Sequence, residues 1–78
     1  MMTYSGLMQS NIKVLDLSFN NISDINRYYF KPVEYSLTHL HLSHNELNNV
    51  TEGVFGNMPH LQWLDLSFNF HNIIETQI

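Results

Sequence analysis

Leu37-Thr38-His39-Leu40-His41-Leu42-Ser43-His44-Asn45-Glu46-Leu47 spaces its apolar residues as L-x-x-L-x-L-x-x-N-x-L. The alternation around Leu40 and Leu42 has the two-residue period of a strand, whose side chains turn to opposite faces at each step. The same spacing stands upstream in Ile12-Lys13-Val14-Leu15-Asp16-Leu17-Ser18-Phe19-Asn20-Asn21-Ile22 and downstream in Leu61-Gln62-Trp63-Leu64-Asp65-Leu66-Ser67-Phe68-Asn69. The opening residues Ile12, Leu37 and Leu61 are 25 and 24 residues apart. One such stretch would be weak. Three in register, each with its asparagine, make an internal repeat.

A pattern of this form at this period is the leucine-rich repeat. It places the chain in the α/β class, as a solenoid with a short parallel β-sheet on its concave face and an irregular or short helical convex side. Residues 1–11 are then a tail or the remnant of a preceding repeat. Repeats follow at 12–36, 37–60 and, incomplete, 61–78. The inward positions of the first are Leu15, Leu17, Asn20, Ile22, Ile25, Phe30 and Val33. Those of the second are Leu37, Leu40, Leu42, Asn45, Leu47, Val50, Phe55 and Met58. The third keeps Leu61, Leu64, Leu66, Asn69 and Ile74, with His71 where the pattern wants an apolar side chain.

Phe30 and Phe55 each lie 18 residues after their repeat's first position, so the aromatic belongs to the repeat. Lys31-Pro32 is expected to end any helical turn near Phe30. A short helical turn is expected over Thr51-Glu52-Gly53-Val54-Phe55, with Gly56 and Pro59 closing it. Asn20, Asn45 and Asn69 are expected to stack as a ladder, because an amide both donates and accepts between successive passes of backbone. So short an array, with open strand edges, is expected to be marginal alone and prone to pair with other copies.

The composition excludes several function classes. The chain is 44% hydrophobic, enough core material to set it apart from disordered sequences. Three basic residues stand against seven acids, for a net charge of −4, the wrong sign for nucleic acid or an anionic membrane. There is no cysteine, hence no disulfide framework or thiol chemistry. No apolar run approaches a membrane span, so no direct membrane insertion is expected. Met1-Met2-Thr3-Tyr4-Ser5-Gly6-Leu7-Met8 has no basic region or long apolar core and does not read as a signal peptide, and no anchor is read in the chain.

Alternation places the remaining strand residues on the concave face in three rows: Val14/His39/Trp63, Asp16/His41/Asp65 and Phe19/His44/Phe68. Exposed aromatic side chains on a sheet are typical contact anchors, which selects this surface for a protein partner. The alternative for Phe19 and Phe68 is to tuck over the strand ends beside the asparagines. His39 and His41, flanked by Asp16 and Asp65, offer nitrogen and oxygen ligands of the kind zinc takes. Side chains two apart on a strand diverge, however, and a His-based metal module is a distant alternative. Tyr28, Tyr29 and Tyr35 read as outer-surface packing. Serine, histidine and aspartate follow the repeat rather than any triad or nucleophile elbow, and no glycine loop suits a phosphate, so neither enzyme nor cofactor is expected.

Several phrases go beyond the generic pattern: Asp24-Ile25-Asn26-Arg27-Tyr28-Tyr29-Phe30, Ser36-Leu37-Thr38-His39-Leu40, and Val54-Phe55-Gly56-Asn57-Met58-Pro59-His60-Leu61-Gln62-Trp63-Leu64-Asp65-Leu66-Ser67. With them, residues 12–74 resemble the chaoptin-like extracellular leucine-rich-repeat family of insect photoreceptor cell-adhesion proteins. The resemblance implies a fragment of a lipid-anchored glycoprotein on the extracellular face of the plasma membrane. It implies homophilic adhesion, with another copy of the parent protein as partner. The ligand-recognition segment of a Toll-like receptor is the alternative within the same repeat class. Asn21-Ile22-Ser23 and Asn49-Val50-Thr51 are N-x-S/T acceptors, expected to be exposed just after the strand and on the outer turn, candidate glycosylation sites at Asn21 and Asn49.

Overall fold

The computed structural model describes residues 11–70. Expectations for residues 1–10, His71 and Ile74 fall outside these. Five short strands follow in order: β1 (Val14–Asp16), β2 (Asp24–Ile25), β3 (His39–His41), β4 (Asn49–Val50) and β5 (Trp63–Asp65). β1, β3 and β5 form one parallel sheet with β3 in the middle, and β2 pairs in parallel with β4 in a second. Parallel neighbours need a long crossover, which the 24- and 25-residue offsets provide.

The register follows the repeat. Val14, Leu15 and Asp16 lie opposite His39, Leu40 and His41, which lie opposite Trp63, Leu64 and Asp65. Leu15, Leu40 and Leu64 therefore share the core face, while the residues on either side of each point away from it. Backbone pairing continues beyond the strands. Leu17 N–H donates to the His41 carbonyl at 2.8 Å, Phe19 N–H to Ser43 at 3.1 Å, and His44 N–H to Ser67 at 3.1 Å. In the second sheet, Ile25 lies opposite Val50 and Asp24 opposite Asn49.

The core is deepest around β3. Leu37, Leu40, Leu42 and Leu47 have no exposed surface, and Ile25, Phe30, Val33, Val54, Phe55, Met58 and Leu66 complete the buried cluster. Each fully buried side chain of this size contributes about 1.5–3 kcal/mol. Phe30 and Phe55 meet at a centroid distance of 6.4 Å. Leu15, Leu17, Ile22, Val50, Leu61 and Leu64 pack against this cluster while partly exposed.

The outer connections correct four expectations. Pro32 does not end a helical turn but lies inside one, the 3-10 turn Lys31–Val33, with proline at its first positions. An N–H there has no partner within the turn, so proline loses nothing. The second 3-10 turn spans Phe55–Asn57, downstream of Thr51-Glu52-Gly53-Val54. Gly53 adopts φ +81°, a left-handed conformation that breaks helical continuity before Val54. Val54, absent from the expected inward set, is buried. Tyr29 is half-buried with its ring edge-on to Phe30 at 4.8 Å, whereas Tyr28 and Tyr35 are exposed. Glu34 is buried beneath an ion pair with Lys31 at 3.5 Å, a placement that no repeat pattern signals.

Candidate functional site

The candidate site is the outward face of the β1–β3–β5 sheet and the segment just after each strand. The register brings Val14, His39 and Trp63 into one row and Asp16, His41 and Asp65 into the next. Val14 and Trp63 are 58% and 54% exposed, high values for apolar side chains on a sheet with its other face buried. His39 sits between them, half-buried, its Nδ1 2.9 Å from the Thr38 hydroxyl.

The acidic row is held by its own serines. Asp16 Oδ1 accepts from the Ser18 N–H at 2.9 Å. Asp65 Oδ1 accepts from the Ser67 hydroxyl at 2.6 Å and the Ser67 N–H at 3.0 Å. These bonds favour the charged form. The Ser18 N–H holds the Asp16 carboxyl below its ordinary range, and the Ser67 hydroxyl followed by its N–H does so for Asp65, with a smaller attraction from His41 in each case. The signal for these turns is an aspartate two residues before a serine at a strand end, a local motif that repeat counting passes over.

The third row has a geometry that spacing does not reveal. Phe19, His44 and Phe68 all adopt left-handed backbone, with φ of 60°, 56° and 58°. That region is sparsely populated by residues other than glycine, with asparagine, aspartate and histidine enriched there, so the two phenylalanines are the unusual occupants. The left-handed turn directs the ring outward. The asparagine after it is buried at Asn45, half-buried at Asn69 and exposed at Asn20. The repeat pattern places Asn20 inward, but it lies in an outermost pass of the sheet. The rings stack face to face: Phe19 on His44 at 4.3 Å and 8°, His44 on Phe68 at 4.2 Å and 9°. Phe19 and Phe68 are 76% and 73% exposed, so they do not tuck over the strand ends.

An asparagine follows each of these rings. Asn45 Oδ1 accepts from the N–H groups of Asn20 and Ile22, and its Nδ2 donates to the carbonyls of Leu17, Leu42 and Ser43. Asn69 Oδ1 accepts from Leu47 N–H, and its Nδ2 donates to Leu42, Leu66 and Ser67. Asn20 Nδ2 donates to Leu17 and Ser18, both in its own pass of chain.

The remaining candidates lie elsewhere. Asn21 and Asn49 are exposed, the first in the segment after Asn20, the second in β4, away from the three rows. Among the described residues no three of histidine, aspartate and glutamate come together as a metal site, so His39 and His41 with Asp16 and Asp65 do not assemble one. Among the described residues, too, no helix is long and apolar enough to cross a membrane.

The family model described as leucine rich repeat matches residues 10–70, the stretch that carries the parallel pairing at offsets of 25 and 24 residues. The chain belongs to the leucine-rich-repeat family. Within it, this leucine-rich-repeat segment is similar to chaoptin of Drosophila melanogaster, at 66% identity over 62 residues, covering 80% of this chain and 5% of the relative. It is 64% identical over 55 residues to chaoptin of Tribolium castaneum, covering 70% of this chain and 7% of that protein. Tsukushi of Xenopus tropicalis is 40% identical over 63 residues, covering 80% of this chain and 17% of the relative. The repeats thus span a small fraction of the length of the curated relatives they match. No solved structure matches the chain.

Proposed function

We propose that this chain is a protein-binding segment of a chaoptin-like adhesion protein, exposed on the extracellular side of a plasma membrane. The carrying observation is the outward face of the β1–β3–β5 sheet, where Val14, Trp63, Phe19 and Phe68 are exposed together. Apolar and aromatic side chains left in water on a rigid sheet are arranged for contact with another protein. In this reading the sheet lines the concave side of a curved solenoid, and further repeats extend it in the parent protein. Similarity to two chaoptins over most of the chain favours adhesion above the receptor alternative. The partner is another copy of the parent protein. Exposed Asn21 and Asn49 carry glycans in a secreted setting, Asn49 in the second sheet and Asn21 close behind Phe19.

Beads coated with the 78-residue chain test the proposal. Wild-type beads are expected to cluster with one another, and beads carrying Trp63→Ala with Phe68→Ala to cluster several-fold less. Wild-type beads that stay dispersed, or clustering indifferent to both substitutions, would rule out adhesion through this face.

A further inference from the structure

The binding face has a charge character as well as an apolar one. Its middle row carries carboxylates on the two outer strands and a histidine between them, and no lysine or arginine lies in any of the three rows. Serine bonds occupy Oδ1 of Asp16 and Asp65, fixing each carboxylate at its strand end while Oδ2 can accept from a partner. Both groups are charged at neutral pH as any exposed aspartate is, and these bonds hold their pKa values lower still. Adjacent strands in a sheet are about 4.8 Å apart, so Asp16 and Asp65 stand about 10 Å apart across the row. Residues two apart on a strand are separated by about 7 Å, which places Trp63 and Asp65 within reach of one long side chain.

We propose that this face receives a protein segment carrying arginine or lysine side chains, paired to Asp16 and Asp65 and laid across the rings of Trp63 and Phe68. Guanidinium and ammonium groups are attracted both to carboxylates and to the faces of aromatic rings, and arginine does both at once. The inference rests on the reading of this sheet as a protein-binding face and adds the chemistry of the partner. It also bears on how copies could meet. Two such faces docked on each other would oppose carboxylates without an intervening cation, a repulsive arrangement. Contact between copies would instead set this face against a different, basic surface.

The test titrates the whole chain, 15N-labelled at its single tryptophan, with a short peptide alternating arginine and alanine, and with the matched glutamate peptide. The arginine peptide is expected to move the Trp63 indole signal and the glutamate peptide to leave it still. Asp16→Asn with Asp65→Asn keeps an oxygen acceptor for each serine, so the turns persist, and it should weaken arginine-peptide binding about three- to tenfold, the scale of two exposed ion pairs. Glu46→Gln with Glu52→Gln removes the same charge from exposed positions outside the rows and should change binding less than about twofold. Equal losses in the two double variants, an unmoved Trp63 signal, or equal binding of the glutamate peptide would overturn the inference. So would self-association that strengthens when Asp16 and Asp65 are neutralised. Beads that cluster while the arginine peptide fails to bind would refute the cationic partner alone; peptide binding without clustering would refute adhesion alone.

Discussion

Replacing Asn45 by alanine should be the most damaging of the three asparagine substitutions. The structure gives the reason bond by bond. The Leu17 carbonyl would still receive the Asn20 amide at 2.8 Å, and the Leu42 carbonyl the Asn69 amide at 2.9 Å. The N–H groups of Asn20 and Ile22, at 3.1 and 3.2 Å from Asn45 Oδ1, would lose their acceptor. An unsatisfied buried donor costs about 1–3 kcal/mol, and these two are part-buried, so the loss should come to about 2–4 kcal/mol. A chain of this length commonly holds only about 4–12 kcal/mol in total. Asn69→Ala deprives one N–H, that of Leu47, and should cost about 1–2 kcal/mol. Asn20→Ala removes only exposed bonds to carbonyls of its own pass and should cost less than about 1 kcal/mol. Urea unfolding followed by Trp63 fluorescence and circular dichroism measures the series. Asn45→Asp sharpens the test, because the carboxylate keeps its acceptor but turns a second oxygen toward the Leu17, Leu42 and Ser43 carbonyls, so it should be no better than alanine. An Asn20 variant as unstable as the Asn45 variant, or an Asn45→Asp variant as stable as wild type, would refute this accounting.

Three further outcomes follow from the backbone and the charges. His44→Gly relieves a left-handed residue worth about 1 kcal/mol but loses two stacked partners at about 0.5–1.5 kcal/mol each, whereas Phe19→Gly and Phe68→Gly lose one partner each. Denaturant midpoints should therefore fall for His44→Gly and change little for the other two. Gly53→Ala meets no atom within 4 Å of its new methyl group, so its cost should be the backbone term alone, about 1 kcal/mol, and Gly53→Asn should recover part of it in the same denaturation assay. Asp16 and Asp65 have folded pKa values below the ordinary 3.8, so their stabilising contribution is present above that value and is lost as pH falls through the lower, folded ones. Thermal midpoints measured from pH 5 downward should drop below about pH 4. The drop should shrink in Ser67→Ala, which removes the strongest donor to Asp65.

Much of the strand layout could be read directly because spacing, burial and pairing obey one rule. A residue that opposes the core in one pass opposes it in the next, so Leu15, Leu40 and Leu64 could be aligned from their offsets alone. The outer connections resist this reading because short 3-10 turns have no hydrophobic period. Pro32 looks like a terminator by propensity, yet suits the opening of a turn, and Val54 is buried through a backbone reversal at Gly53 that composition does not specify. In the candidate site the rows followed from alternation, but the stacked rings did not. Propensity would place glycine or asparagine at a left-handed position, and here the pull of the asparagine bonds and ring stacking fixes phenylalanine and histidine there instead. Asp16 and Asp65 were visible as a row, and the serines that hold their carboxylates in place were not, because their effect depends on a turn only two residues long.

Each bond between passes comes from the later asparagine, whose amide oxygen accepts from the earlier pass while its amide nitrogen donates to a carbonyl there. Backbone N–H groups of an earlier pass are received by the amide oxygen of the pass after it: Asn20 and Ile22 by Asn45, and Leu47 by Asn69. The array is thus polar, like a filament with unlike ends, although its two edges belong to the same sheet. Its advancing end would be sealed by a group that both accepts from N–H groups and donates to a carbonyl, as an amide does and a carboxylate cannot. Its trailing end presents an asparagine side chain and would be sealed by a pass of backbone that offers it both an N–H group and a carbonyl. A side-chain amide suits one end and a pass of backbone the other, so a single capping module could not serve both.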